Sequence, residues 1–358
     1  MQPIATNDGM MEPILRLDRD LKAAARQLGQ RQARSLVDFF YQIQDFRTNS
    51  ANKQRGAGPS EPNALLDWTY ENMHRFENDI KRAMDAFTDE WMVGRWMKSI
   101  VGIGPILSAG MLAHLDIRRA KTAGHFWSFA GWSGDGQAPW LGKGGRDELV
   151  KQIEEEAGKQ LKPRQLVEAI AKATHRRPEL LLEMAYQLAE DDDGNRPEYP
   201  TRTNILNAAS LRPWNAKFRL LCWKLGDVMC KMQRHDDDVY GHLYVARREY
   251  ETPINDRGGY AHLAKASLEE KNWRRDTETK QKYLEGKLPN ARLHLRAIRY
   301  CVKIFLSHLH HVMHVDFYGR DPDVPYVFAK CPGDHRHFIP IPNWPFEDGG
   351  RSLKELLR

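Results

Sequence analysis

The feature that most constrains this chain is the recurrence of apolar residues at steps of three and four over long stretches. Residues 288–314 give a clear example, and the apolar positions that follow this spacing are Leu295, Ile298, Val302, Phe305, Leu309 and Val312. Such a period places one face of an α-helix against a core. Comparable spacing recurs in residues 15–47, 66–91 and 218–232. The pattern therefore predicts an all-α fold.

The first third of the chain is expected to form two long helices. Residues 15–47 carry Leu36, Phe39, Ile43 and Phe46 at helical spacing, and residues 48–62 have the composition of a loop. The second helix is predicted from its apolar face, which consists of Leu66, Thr69, Met73, Phe76, Ile80, Met84, Phe87 and Trp91. The pair predicts an antiparallel coiled-coil hairpin over 14–98, and an ordinary helix pair within a bundle is the alternative.

Residues 99–132 contain the turn Gly102-Ile103-Gly104-Pro105, which leads into a helix. Pro105 suits the first helical position, and the two glycines leave the backbone open to close approach. Unpaired amides at such a helix start bind phosphate oxygens. A second helix is expected from about Lys121, close to the basic and aromatic residues Arg118, Arg119, His125, Trp127 and Trp132. The unit predicts a nucleic-acid-binding helix–hairpin–helix, with a purely structural hairpin as the alternative.

Two further segments differ in character from the rest. Residues 147–209 are rich in Glu and Lys with helical periodicity, and we interpret them as a helical insertion. The acidic run 191–193 lacks the glycine and glutamate positions of a calcium loop. Residues 319–358 are expected to form a short irregular tail, with strand-like pieces at 326–328 and 338–340.

Basic residues recur on two of the predicted helices. Lys217, Lys224 and Lys231 are spaced every seven residues beside an apolar face. On the helix of 288–314, one narrow arc at 100° per residue contains Arg292, Arg296, Arg299, Lys303, His310 and His314. Such a basic stripe favours contact with a polyanion, and a solvated helix face is the alternative. The net charge of +6 and the pI near 9.0 agree with a polyanionic partner.

The sequence gives little support for a metal site. His310 and His314 have the spacing of a zinc pair, and Cys331, His335 and His337 follow, but the glutamate of an HExxH motif is missing. No ββα pattern of an HNH nuclease surrounds the last two histidines. The four cysteines form no CxxC pair, and no signal peptide or membrane span is evident. We expect a soluble cytoplasmic protein without a metal or small-molecule cofactor.

Several blocks together carry a family resemblance. They are LVDFFY at 36–41, the hairpin ending in FWSFAGW at 126–132, RPWNAK at 212–217, and RYCVKIFLSHLHH at 299–311. The hairpin is similar to that in the second domain of RNA-guided insertion-sequence transposases, and to the RNA-gripping helices of the Nop domain in box C/D particles. The combined blocks resemble the Tas proteins of TIGR (tandem interspaced guide RNA) systems, a family encoded by bacteria and phages. The resemblance covers most of the chain outside 147–209.

The resemblance implies a Nop-like domain formed by 99–146 and 210–318. It implies a protein that binds a short guide RNA, acts as a homodimer and recognises a DNA target through that RNA. Residues 14–98 are already assigned to the coiled-coil helices and leave no room for a RuvC nuclease before residue 99. We therefore expect RNA-guided DNA recognition without catalysis, and any separate effector is unknown. The predicted nucleic-acid contacts also include Arg212, Trp214 and Asn215.

Two alternatives remain open at this stage. The transposases that the hairpin resembles use a serine nucleophile just after it, and Ser133 is the nearest candidate here. A serine recombinase is therefore one alternative function. A coiled-coil adaptor that binds a protein partner is the other.

Overall fold

The computed structural model describes residues 20–57, 64–134, 138–191, 195–270, 273–324 and 338–358. Within these ranges the chain is helical and contains no β-strand, apart from an isolated parallel bridge between Trp91 and Arg351. The all-α prediction is confirmed. No helix of the described ranges is both long enough and apolar enough to cross a bilayer.

The helices follow one another along the chain with short connections. In order they are α1 (Asp20–Arg26), α2 (Gln30–Ala57), α3 (Ala64–Asp89), α4 (Met92–Lys98), α5 (Pro105–His114), the 3₁₀ helix η1 (Ile117–Arg119), α6 (Ala123–Phe129), α7 (Gly142–Ala157), α8 (Pro163–Thr174), α9 (Pro178–Gln187), α10 (Arg202–Ser210), α11 (Ala216–Met232), α12 (Val239–Asp256), α13 (Ala261–Glu270), α14 (Glu278–Leu284), α15 (Asn290–Tyr318) and α16 (Leu353–Leu356). They form two compact units. The first consists of Met1–Phe126 with Leu221–Arg358, and the second is Trp127–Leu220.

The first predicted helix is interrupted and ends later than expected. Residues 27–29 separate α1 from α2, and the backbone N–H of Gly29 donates to Oε1 of Gln32 at 3.1 Å. This contact is one half of a capping box, and it starts a new helix at Gln30. The predicted loop 48–62 is wrong over its first part, because α2 continues to Ala57. Its hydroxyl side chains bond to carbonyls one turn back, as Thr48 does to Gln44 at 2.8 Å.

Helices α2 and α3 run antiparallel. Gln44 donates to Glu77 at 3.2 Å, and Gln54 donates to Asp67, so the paired residue numbers change in opposite directions. Coiled-coil packing of this pair stays a prediction.

The predicted core face of α2 is shifted from the observed one. The residues that are buried on this helix are Ala33, Val37, Phe40 and Ile43. By contrast, Phe39 and Phe46 are 53% and 65% exposed, and on α3 Phe76 is also exposed. Both faces satisfy the helical period, because adjacent phenylalanines at 39 and 40 allow either choice.

Helix α5 belongs to the first unit and is buried from Ile106 to His114. Its C-terminal carbonyls are covered by side chains of α2. Gln30 Nε2 donates to Leu112 O at 2.7 Å, and Arg34 Nη2 donates to Ala113 O at 2.6 Å. These bonds satisfy helix-end carbonyls that would otherwise be buried without partners.

The small residues of α5 permit close packing against α11. A Cβ built on Gly110 would come within 2.8 Å of Leu221 Cδ1. The helices that the Gly102–Pro105 turn joins are α4 and α5. Helices α5 and α6 are connected through η1, and α6 begins at Ala123, close to the expected start.

The second unit has its own core. Helices α7 to α10 contribute Val150, Leu166, Val167, Ile170, Leu181, Ala185, Ile205, Ala208 and Ala209. Arg202 holds α10 to α7 through two hydrogen bonds to the carboxylate of Glu154, at 2.8 and 3.0 Å. The predicted insertion 147–209 lies inside this unit, which begins at Trp127 and ends at Leu220.

The C-terminal segment 338–358 packs on α4 and α15 within the first unit. Trp96 Nε1 donates to Pro342 O at 2.9 Å, and Leu353 N donates to Asp316 Oδ2 at 2.6 Å. Residues 338–340 form no strand, contrary to prediction, and the carbonyl of Ile339 lies 3.1 Å from Nε2 of His308 on α15. The other strand-like piece, 326–328, lies outside the described residues.

Candidate nucleic-acid interface

The site is organised around a buried carboxylate between α12 and α15. Glu251 is only 1% exposed. Its Oε1 accepts from Arg247 Nε at 2.7 Å, and its Oε2 accepts from Arg296 Nε at 2.6 Å. One negative charge thus fixes two guanidinium groups and leaves the cluster with a net positive charge.

Aromatic rings orient the same two arginines. Arg247 lies over the rings of Tyr300 and Tyr250, with its Cζ 4.8 and 5.3 Å from the ring centroids. Arg296 lies over Tyr260 at 4.5 Å. Burial alone would lower the pKa of Arg296, but its hydrogen bond to Glu251 and that residue's charge raise it. The guanidinium groups are therefore charged and held in fixed orientations.

A third arginine, Arg248 of α12, borders this cluster. Tyr244 Oη lies 2.8 Å from His294 Nδ1. Burial, followed by the charge of nearby Arg248, lowers the pKa of His294. The imidazole is therefore neutral at pH 7, and Arg248 supplies the positive charge at this edge. We refer to Arg247, Arg248, Arg292, Arg296 and Tyr250 as the arginine face.

The predicted basic stripe of α15 is only partly at the surface. Arg292 is exposed, whereas Arg299 and Lys303 are half-buried, and burial lowers the pKa of Lys303. His310 and His314 are buried, so the prediction that they face a polyanion is wrong in this structure. Helical period identifies the shared arc, but only tertiary packing determines which part of that arc is covered.

The buried histidines have structural partners in the first unit. His310 Nε2 lies 2.8 Å from Ala120 O, and its ring packs edge-on against Phe126. His314 Nδ1 lies 2.9 Å from Arg320 O. Burial lowers the pKa of His310, which favours the neutral ring. The contacts of His310 join the end of η1 and the middle of α6 to the C-terminal half of α15.

A second basic group lies at that end of α15. Arg119 and Lys121 are exposed. Arg118 is also exposed, and it forms two hydrogen bonds to the Asp116 carboxylate, at 2.8 and 2.9 Å, and donates to Leu357 O at 2.6 Å. Arg119 forms an ion pair with the same carboxylate at 3.8 Å. Fourteen residues of helix separate 296 from 310, so this group lies roughly 20 Å from the arginine face along α15. His125 is half-buried and bonds locally to Thr122.

The glycine turn has a structural explanation at one of its two glycines. Gly102 has φ +82°, and a Cβ there would lie 2.6 Å from Val228 Cγ1 on α11. Its lack of a side chain serves packing, which corrects the prediction that it serves ligand approach. At Gly104, the N-cap of α5, a Cβ would meet nothing within 4 Å. The backbone at Gly104 is therefore the part of the turn that another molecule can approach.

The predicted lysine stripe of α11 is divided by its local contacts. Lys231 forms an ion pair with Asp227 at 2.6 Å. Lys224 lies 4.1 Å from the ring centroid of Tyr41 on α2. Lys217 is exposed and belongs to the second unit. The seven-residue spacing therefore does not produce a uniform row of unpaired charges.

Within the second unit, most predicted contact residues are engaged internally. Trp132 is buried and Trp127 is half-buried, so burial leaves no open ring face for base stacking at Trp132. Trp214 lies beneath Arg219 at 5.0 Å. Asn215 caps α11, since its Oδ1 accepts from Phe218 N at 2.8 Å. Arg212 is exposed.

The alternative chemistries find little support in the described part of the chain. Ser133 Oγ lies 2.9 Å from Ser128 Oγ, which is not a base that could activate it. In these ranges no group of three or more His, Cys, Asp or Glu side chains is arranged to hold a metal. Cys331, His335 and His337 lie outside the described residues.

Sequence reasoning missed three of the five residues of the arginine face. Arg247, Arg248 and Tyr250 lie on α12, whose sequence is charged but lacks a clear stripe. The available signal was the pair Arg247 and Glu251, which have i, i+4 spacing with Tyr250 between them. Comparison with known protein families, curated proteins and solved structures found no match to this chain.

Proposed function

We propose that this chain is a guide-RNA-binding protein that directs RNA-guided recognition of double-stranded DNA. The observation that carries the proposal is the arginine face, where Glu251 and the surrounding tyrosines hold charged guanidinium groups at the surface of α12 and α15. Planar guanidinium groups suit the bidentate binding of phosphate. The sequence resemblance to Tas proteins supports the same conclusion.

In this proposal the protein recognises backbone and shape, whereas base pairing recognises sequence. The arginine face contacts guide-RNA phosphates. Tyr250 is 62% exposed and offers a ring on which an unpaired base can stack. The open side of the turn at Gly104 is a second phosphate contact, through the amides that begin α5. The chain supplies recognition, and any cleavage of DNA comes from a separate effector.

The proposal includes a homodimer formed through α2 and α3. Phe39 and Phe46 lie seven residues apart on one face of α2 and are exposed. On α3, a second exposed face contains Leu65, Trp68 and Phe76. Exposed apolar faces of this kind are typical of protein–protein contacts.

The salt dependence of RNA binding tests the assignment. The chain's affinity for its co-purified RNA is measured over a range of salt concentrations, for the wild type and for the triple variant Arg292→Ala, Arg296→Ala and Arg299→Ala. We expect weaker binding and a shallower salt slope, since each lost phosphate contact removes about 0.7–0.9 from that slope. A matched control is Lys22→Ala, Arg26→Ala and Arg31→Ala, which removes exposed charges from α1 and α2. Equal affinity and slope in the triple variant and the wild type would exclude Arg292 and Arg296, the two arginines that α15 contributes to the arginine face.

A further inference from the structure

The second unit contains an exposed tryptophan paired with an arginine. Trp140 is 51% exposed, and its orientation is fixed because Nε1 donates to Ser210 O at 3.0 Å. The Arg212 guanidinium lies over this ring, with Cζ 4.7 Å from the centroid. Within the described residues, no carboxylate forms an ion pair with Arg212. The pair presents an aromatic surface and a positive charge together.

A buried arginine joins the two chain segments that carry this pair. Arg176 is only 6% exposed. Its Nη2 donates to Pro139 O at 3.1 Å and to Leu211 O at 3.3 Å. Pro139 and Leu211 immediately precede Trp140 and Arg212. One guanidinium group thus fixes the position of both members of the exposed pair.

The surroundings of Arg176 do not compensate its charge. Its Nε and Nη1 are buried without a hydrogen-bond partner in the part of the chain that the structure describes. Burial lowers its pKa, and no acidic neighbour acts in the opposite direction. An unpaired buried cation is unfavourable for folding, and its field extends to nearby groups because screening by water is weak there. This arrangement is explained if an anion binds close by.

We propose that Trp140 and Arg212, positioned by Arg176, form a binding site for an unpaired nucleic-acid strand. A base stacks on Trp140 or on the guanidinium plane of Arg212, and an adjacent phosphate is neutralised by Arg212 together with the field of Arg176. This assigns a role to the second unit. The site rests on the proposed function only for the identity of the strand, which is the unpaired part of either the guide or the target.

The test measures binding of single strands to the full chain by fluorescence anisotropy. The probes are a short labelled oligouridylate and a matching oligothymidylate. We expect Trp140→Ala to weaken binding by about 5- to 150-fold, which is the range for loss of one base–aromatic stack. Trp140→Phe restores most of the affinity, because a ring remains. Arg212→Ala lowers the salt slope by about 0.7, the value for one phosphate contact with a single strand.

Matched controls lie in the same unit. Leu180→Ala removes an exposed apolar side chain from α9, and Lys172→Ala removes an exposed charge from α8. Both should bind like the wild type. Arg176→Gln should weaken binding while the free energy of unfolding is unchanged or higher, because a buried unpaired charge has been removed. A purely structural arginine would show the opposite pattern, with lower stability and unchanged affinity.

The outcomes separate this site from the proposed function. Affinities of Trp140→Ala and Arg212→Ala within twofold of the wild type would overturn the site, even if the chain still co-purifies with RNA. A wild type that binds neither probe would also overturn it. The proposed function fails separately, if no discrete RNA accompanies the protein. If Trp140→Ala weakens the binding of oligouridylate alone, the result supports an RNA strand as the occupant. If the variant weakens the binding of both probes, the result supports a DNA strand as well.

Discussion

Arg296 on α15 and Glu251 on α12 are joined by a 2.6 Å hydrogen bond beneath the surface that carries the arginine face. The other carboxylate oxygen of Glu251 binds Arg247 on its own helix. The carboxylate therefore links the two helices and orients the basic groups at once. Packing and the proposed binding surface depend on the same side chain.

Replacement of this carboxylate should be destabilising. In Glu251→Gln the two arginines lose their shared negative charge, and we expect the free energy of unfolding to fall by about 1–3 kcal/mol. The expected loss of unfolding free energy is moderate because both arginines are partly exposed to water. Urea denaturation measures the change. The control Glu249→Gln alters an exposed glutamate of the same helix and should lie within about 0.5 kcal/mol of the wild type. Equal stability of the two variants would contradict this role of Glu251.

The two glycines of the turn should respond differently to alanine. Gly102→Ala forces a side chain into a positive-φ position against Val228, and we expect a loss of about 2–4 kcal/mol in unfolding free energy. Gly104→Ala has open space, so stability should change by less than about 1 kcal/mol. Its affinity for RNA should nevertheless fall if the amides of α5 contact a phosphate. Thermal denaturation of both variants measures the change in stability, and RNA titration measures the change in affinity. Unchanged affinity in Gly104→Ala would show that the turn is not part of the interface.

Substitution on the exposed face of α2 should weaken the proposed dimer. The double variant Phe39→Ser and Phe46→Ser removes two large apolar side chains while keeping the buried face with Phe40 intact. We expect the dissociation constant to rise at least tenfold, as measured by sedimentation equilibrium. Leu188→Ser, at an exposed position in the second unit, is the control. A wild type that is monomeric at all concentrations would show that this face has another role.

Acid should destabilise the first unit through a buried histidine. His308 lies between Tyr240 Oη at 2.8 Å and Ile339 O at 3.1 Å, and burial lowers its pKa to about 4. Below pH 6.5 the unfolded chain binds a proton at this residue that the folded chain does not. The contribution of His308 to the free energy of unfolding is therefore complete above about pH 6.5. About 2–3 kcal/mol of this contribution is lost as the pH falls towards 4.

Urea denaturation across this pH range, with His308→Gln for comparison, measures the contribution of that residue. The variant should have a shallower dependence of unfolding free energy on pH. Some dependence should remain, because burial also lowers the pKa of His310 and His311. Identical slopes in the two proteins would contradict the assignment to His308.

The sequence predicted helices more successfully than it predicted which helix faces are covered. The apolar period of α15 gave its core correctly, with Ile298, Val302 and Phe305 all buried. On α2 the same reasoning chose Phe39 over Phe40, because two adjacent aromatic residues fit two neighbouring faces equally well. The period of the apolar residues restricts their angular positions around the helix axis. Which of two neighbouring faces is buried depends on the element that packs against the helix.

The candidate site could be predicted only in part for a related reason. Arg292 and Arg296 were identified from one helix, but Arg247 and Glu251 become significant only when α12 packs against α15. In the same way, the sequence places His310 in a basic arc of the helix, whereas in the fold this side chain is buried and contacts Ala120. The contacts of Arg176 with Pro139 and Leu211 join residues more than thirty positions apart, and no local pattern indicates them.

Purification of the chain from a host that carries its native locus, followed by sequencing of the RNA bound to it, tests the central claim most directly. The account predicts a discrete short RNA with paired box-like motifs. It also predicts that this RNA is depleted when Arg292, Arg296 and Arg299 are replaced by alanine. Protein that is free of RNA, or that carries random fragments unaffected by this change, would contradict guide-RNA binding.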